Sequence, residues 1–346
     1  MSTRADRAMN PDFEDFLRGR RAVGVVLLSL FAGACATLPA PTARRSYHVV
    51  HEWPVLPEGV ALDEVSAVAV DSHDNVLVLM RGGRKWPDSD ILDTAAIRAP
   101  TVFVFNGLSG ALITKWGGDL FALPHLLTVD ADDNVWIADV ALHQVFKLSR
   151  DGRLLMTLGV RAVPGDDSAH FNRPSDVAVA PDGAFYVSDG YGNNRIVKFS
   201  RDGKFLLAWG RKGTGPGEFD LPHGITLDRA GRLYVVDRTN RRVQIFDGNG
   251  KYLAEWKGQP FDSPQEIAIA GDGTALVADG GSSHLPDLAG ITLLNSDGKV
   301  IGRFGRWGYY NGQFLDVHSV AVAKSGAVYV ADFGGRRVQK FVTGPP

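Results

Sequence analysis

A module of roughly 40–55 residues recurs six times along this chain, and no other feature restricts its fold as much. The clearest copies begin LPHLLTVDADDNVWIADV (from Leu123), RPSDVAVAPDGAFYVSDG (from Arg173), LPHGITLDRAGRLYVVDR (from Leu221), SPQEIAIAGDGTALVADG (from Ser263) and DVHSVAVAKSGAVYVADF (from Asp316). A weaker first copy opens with EVSAVAVDSHDNVLVLMR (from Glu64). Each copy alternates apolar and polar residues over a short strand, as in Val177–Val179, and then turns at a pair such as Asp182-Gly183. Such a pair supplies the positive φ of a tight hairpin. A second strand ends near an aspartate, a third reads like Arg242–Phe246, and a fourth ends at a position such as Trp209. Four short antiparallel strands repeated radially define an all-β, six-bladed β-propeller. A solenoid does not suit units of four hairpin-linked strands. The 40 glycines and 18 prolines fit a chain of many turns.

The last copy has room for only three strands between Val317 and the end of the chain. Its open edge needs a partner. The isolated strand-like piece Ser46–Trp53 is expected to pair with it and close the ring, giving a propeller domain over 46–343. The preceding residues read differently. Arg18, Arg20 and Arg21 lead into the apolar run Ala22–Ala34, which is too short for an ordinary membrane span of roughly 20 residues. The sole cysteine, Cys35, ends this run in Phe-Ala-Gly-Ala-Cys, which resembles a bacterial lipoprotein cleavage box. The expectation is a lipoprotein-type signal over 1–35, a linker over 36–45, and an exported domain tethered to a membrane by lipid alone. Ordinary cleavage after Ala36 would free it into the periplasm or medium instead. Either way the exported domain has no cysteine and no disulfide.

One repeat position, read as the residue just before each first strand, holds Ser66, His125, Ser175, His223, Gln265 and His318. Histidine occupies alternate copies, 98 and 95 residues apart. Alternate blades of a six-fold ring lie about 120° apart and their first strands line the channel, so three imidazoles would converge on the axis. Three histidine nitrogens with an open fourth position form a catalytic zinc arrangement. His143, His170 and His284 break the pattern and read as structural or exposed. At the end of the second strand, Arg81 and Arg238 share a register in opposite blades, and Tyr191 lies close to that register in the third. Guanidinium forks suit a carboxylate. A phenol beside a divalent metal and two arginines could serve as a base. Surface ion pairs and a packing tyrosine would use the same residues, and the pattern alone leaves both readings open.

The stretch from about Val65 to Val342 resembles the peptidyl-α-hydroxyglycine α-amidating lyase family of NHL-type propellers, above all in VALHQVFKL, SDGYGNNRIV, LPHGITL and VHSVAV. The resemblance implies a lyase that cleaves the C–N bond of a peptidyl- or N-acyl-α-hydroxyglycine to an amide and glyoxylate. It implies zinc on His125, His223 and His318, a catalytic Tyr191, and active-site arginines at Arg81 and Arg238. It further implies a structural calcium bound partly by the backbone of Val68 and Leu127. The family's side-chain calcium ligand is an aspartate after the third histidine, where this chain has Ser319. Asn172 and Gly192 stand at family disulfide positions, and Asp316 replaces a methionine near the site.

The alternative to a lyase is a non-catalytic NHL-type binding propeller of the cell envelope. A calcium-dependent propeller lactonase would call for acidic and amide ligands instead of three histidines. The formal net charge of -2 gives no sign of a nucleic-acid partner. The expected partner is the small substrate alone, bound by a monomer.

Overall fold

The computed structural model describes residues 46–86, 91–258, 261–281 and 288–344. The leader, Cys35, the linker and His284 lie outside the described residues. Among the described residues, twenty-four strands form six four-stranded antiparallel sheets. Blades one to five each use four consecutive strands. Blade six takes Val317–Val322, Val328–Asp332 and Arg337–Thr343, and its fourth strand is Tyr47–Val50 from the start of the domain. That strand runs antiparallel to the last one, with Tyr47 opposite Thr343 and Val50 opposite Lys340.

The six inner strands are Val65–Val70, Pro124–Val129, Asp176–Val179, Pro222–Leu227, Pro264–Ile269 and Val317–Val322. Second strands are buried along their whole length, whereas fourth strands such as Phe205–Trp209 are largely exposed. The core therefore lies between blades: Trp136 of blade two packs on Phe185 of blade three at 4.5 Å between ring centres.

In blades two to six, the aspartate ending the second strand has a structural task. Asp139 accepts the N–H groups of Ala122, Leu123, Ala141 and Leu142, at 2.7 to 3.1 Å. Asp332 does the same for Leu315, Asp316 and Gly335. These carboxylates tie the loop entering each inner strand to the turn leaving the second. The chain just before each channel residue is thereby fixed.

Deleting Tyr47–Trp53 removes more than one strand. Tyr47 stacks on Phe304 at 4.5 Å, and buried Trp53 packs on Tyr329 at 4.8 Å. Removing these two rings and the ladder of blade six is expected to cost more than about 5 kcal/mol, close to the whole stability of many domains. Thermal unfolding will show this as a large fall in Tm; an unchanged Tm would contradict a closing role.

Candidate metal centre and catalytic cavity

The channel position lies inside the inner strand, as its second residue, in every blade but the third. This corrects its placement just before the strand. In blades two, four and six the pairing register slips across the histidine, between Pro124 and Leu127, Pro222 and Ile225, and Val317 and Ser319. A bulge at that point re-aims one side chain out of the regular alternation. Here the re-aimed side chains are His125, His223 and His318.

The three rings meet. Their centres are 4.7, 4.9 and 5.1 Å apart, and one ligand atom from each lies within 4.8 Å of the others. All three are buried. Each Nδ1 faces a backbone carbonyl of the next blade: His125 to Ser175 at 2.8 Å, His223 to Gln265 at 2.7 Å, and His318 to Ser66 at 2.6 Å. The acceptors are main-chain carbonyls of the same repeat position in the odd blades. A carbonyl accepts only, so Nδ1 carries the hydrogen and Nε2 is left with its lone pair. Burial, with neighbouring positive charge, holds His125 and His223 well below the usual imidazole range and His318 at about 3. Three neutral imidazoles with fixed tautomers fit a borderline-soft divalent metal such as zinc.

Tyr191 stands over this centre. Its phenol oxygen lies 3.0 Å from Nε2 of both His125 and His223, and its ring packs on Trp86. Burial raises its pKa; Arg238 and Arg81 oppose the rise. The two arginines therefore do not by themselves make a phenolate, and the free phenol is protonated at neutral pH. Arg81 is buried between Phe333 and Trp86, 4.6 and 5.5 Å from their ring centres. Burial lowers its pKa, opposed by its electrostatic interactions with Tyr191, Glu64 and Asp316. Arg238 donates from Nε to Ser263 Oγ at 3.4 Å.

Tyr191, Arg81, Arg238 and His318 border one cavity of about 640 Å³, whose wall also includes Glu64, Trp86, Gln265, Asp316 and Phe333. That volume suits a small ligand. The register of the repeat accounts for most of this wall. Two residues before the channel position stand Glu64, Arg173, Ser263 and Asp316, a row of which only Asp316 was singled out, by the family resemblance and not by its register. Phe333 shares the register of Arg81 and Arg238. Trp86 sits in the long connection between the second and third strands of blade one, outside the repeated module, so no repeat signal marked it.

Other expectations fall outside the cavity wall. His143 is buried and accepts the Arg173 N–H through Nδ1, and His170 pairs with Asp167. Below the histidines, Ser319 Oγ hydrogen bonds to the N–H and carbonyl of Val68 at 3.0 and 3.4 Å. The carboxylate absent at Ser319 has counterparts at the same repeat position, Asp176 and Glu266, both buried. They accept the Ile225 and Val320 N–H groups. Burial raises both, Asp176 to about 8, and Asp176 adds to the rise in Glu266. Among the described residues, the three histidines are the one group of three or more histidines, cysteines or acids close enough to share a metal ion.

A propeller with a histidine cradle on its axis is one of the broad set of metal-ready six-bladed propellers. A family model described as a 6-bladed beta-propeller matches residues 165–261. Peptidyl-alpha-hydroxyglycine alpha-amidating lyase 2 of Drosophila melanogaster is 33% identical over 331 residues, covering 89% of this chain and 77% of that protein. The chain belongs to the peptidyl-α-hydroxyglycine α-amidating lyase family. The peptidyl-glycine alpha-amidating monooxygenase of Mus musculus is 36% identical over 327 residues, 87% of this chain but 32% of that protein, so the chain spans about a third of this relative's length. Human NHL repeat-containing protein 3 is 30% identical, with 87% and 85% covered. Virginiamycin B lyase from Staphylococcus aureus, solved as an inactive variant with quinupristin, shares the fold at a TM-score of 0.55 and 16% identity, covering 87% of this chain and 88% of its own.

Proposed function

We propose that this chain is a zinc-dependent lyase that splits the C–N bond of a peptidyl- or N-acyl-α-hydroxyglycine into an amide and glyoxylate. One observation carries the reading: a phenol oxygen 3.0 Å from two metal-ready nitrogens, inside a cavity walled by Arg81 and Arg238. A base, a metal cradle and a carboxylate clamp then converge on a single carbon.

His125, His223 and His318 would hold the zinc. When bound, it supplies Lewis-acid polarisation of the substrate hydroxyl and positive charge that favours the phenolate. Tyr191 takes the hydroxyl proton as general base. The O–H electron pair becomes the aldehyde C=O, the C–N pair departs with nitrogen, and nitrogen gains a proton to complete the amide. Arg81 and Arg238 hold the carboxylate of the glyoxylate half; water-poor surroundings strengthen that grip. The scheme assigns no role to calcium. An exported, lipid-tethered monomer remains part of the proposal.

The test is glyoxylate release from a panel of N-acyl-α-hydroxyglycines, alongside metal analysis of the purified protein. About one zinc per chain with turnover of at least one member is the expected result. A non-catalytic binding propeller would release no glyoxylate from any of them, and that outcome overturns the reading.

A further inference from the structure

Gln265 occupies the channel position of blade five, between the blades of His223 and His318. Its main-chain carbonyl accepts the Nδ1–H of His223 at 2.7 Å, so its backbone is held at the depth of the metal centre. Its side chain is equally constrained. Nε2 donates to Ser263 Oγ at 3.1 Å, and the same oxygen accepts from Arg238 Nε. A methyl group at Gly280 would approach Asp316 Oδ1 to 2.5 Å and Gln265 Nε2 to 3.2 Å. Blade five therefore has glycine where blades one and four have arginine, and the Gln265 and Asp316 side chains take up that space. With Ser263 Oγ accepting at its Nε2 end, the amide keeps its oxygen as a hydrogen-bond acceptor.

That oxygen, Oε1, has no hydrogen-bond partner within the protein, although the residue is 2% exposed and borders the catalytic cavity. A buried carbonyl without a donor is costly, and a ligand that brings a donor relieves the cost. Two more atoms of the same wall share this condition: Arg81 Nε, a donor, and Glu64 Oε2, an acceptor. Arg81 Nε matches a ligand carboxylate. Glu64 acts electrostatically on Arg81 and so balances its charge. An acylated α-hydroxyglycine offers two donors next to its carboxylate, the hydroxyl and the amide N–H. The hydroxyl belongs to Tyr191 and the metal. The N–H is left for Gln265.

We propose that Gln265 recognises the N–H of the scissile amide, which restricts the enzyme to secondary amides of α-hydroxyglycine. This rests on the lyase reading above. Gln265 takes no proton and forms no bond to the reacting carbon. It is a positioning and specificity residue that holds the leaving nitrogen beside the reacting carbon.

The experiment compares N-benzoyl-α-hydroxyglycine with its N-methyl analogue, which lacks the N–H, in the zinc-loaded wild type, Gln265→Leu, Gln265→Ala and Gln265→Glu. The wild type is expected to prefer the N–H substrate by roughly 100-fold in kcat/KM, because a site built for a donor rejects the analogue without one. Gln265→Leu and Gln265→Ala should lose most of kcat/KM on the N–H substrate alone, bringing the two substrates to within about 5-fold of one another. Gln265→Glu, which keeps an acceptor, should keep part of the preference. Zinc content should stay at the wild-type level in all three. Equal losses on both substrates would show a merely structural residue and overturn the proposal. So would a wild type that cleaves both equally, while leaving the lyase reading intact. No turnover by the wild type of either substrate, or of any member of the panel above, would overturn both.

Discussion

Replacing His223 by alanine is expected to leave a folded propeller that retains no zinc after dialysis and releases no measurable glyoxylate. Two imidazoles remain, and two neutral ligands hold a divalent ion far more weakly than three. The substitution also removes the Nδ1 bond to Gln265 and opens a small void at a fully buried position. A Tm decrease of a few degrees should therefore accompany the loss of metal. Retention of stoichiometric zinc would show that the ion sits elsewhere.

The same histidines set an acid limit on the metal-free protein. Their folded pKa values lie far below the ordinary value near 6.5, at about 3 for His318. In the window between those values the unfolded chain binds more protons than the folded one. Their contribution to stability is thus full above pH 6.5 and shrinks as the pH falls toward 3. The slope is about 1.4 kcal/mol per pH unit for each histidine. His223→Ala should show a shallower acid dependence than the metal-free wild type.

Tyr191→Phe is expected to keep its zinc and lose activity by roughly 10²- to 10⁴-fold in kcat, the usual range for removing a general base. The phenyl ring keeps its packing on Trp86, so the change deletes one oxygen. That oxygen lies 3.0 Å from two of the nitrogens that would bind the metal, so its loss alters the centre without dismantling it. Full activity in this variant would remove Tyr191 from the mechanism. Metal analysis beside the assay separates a missing base from a missing ion.

The six blades and the three histidines were legible because a propeller repeats its register. A residue type recurring at one position in alternate copies can only mean convergence on the axis. The same arithmetic reached Arg81 and Arg238 but stopped short of Glu64, Ser263 and Asp316, since a row of unlike residues has no recurring type to catch the eye. Gln265 was visible as a member of the histidine register, yet its missing donor appears only once its neighbours are in place. The bulges at His125, His223 and His318 were hidden for a different reason. They shift pairing without changing the apolar pattern that marks a strand. Trp86 was beyond reach, because it lies in the long connection after the second strand of blade one, outside the part of the module that repeats.

The three Nδ1 bonds have a mechanical consequence. They join blade two to three, four to five, and six to one, while the three Nε2 atoms of those same rings converge on one point. A single ion there would act as the hub of a wheel whose rim is fastened in pairs. The junction between blades six and one is the seam of that wheel, bridged by His318 and Ser66, which lie 252 residues apart in sequence. Contacts so distant carry the largest loop-closure cost a folding chain meets. His125 and His223 can be set by a growing chain, but the third ligand waits for the seam. The cradle is finished only when the circle is, and loading the metal becomes the final act of assembly.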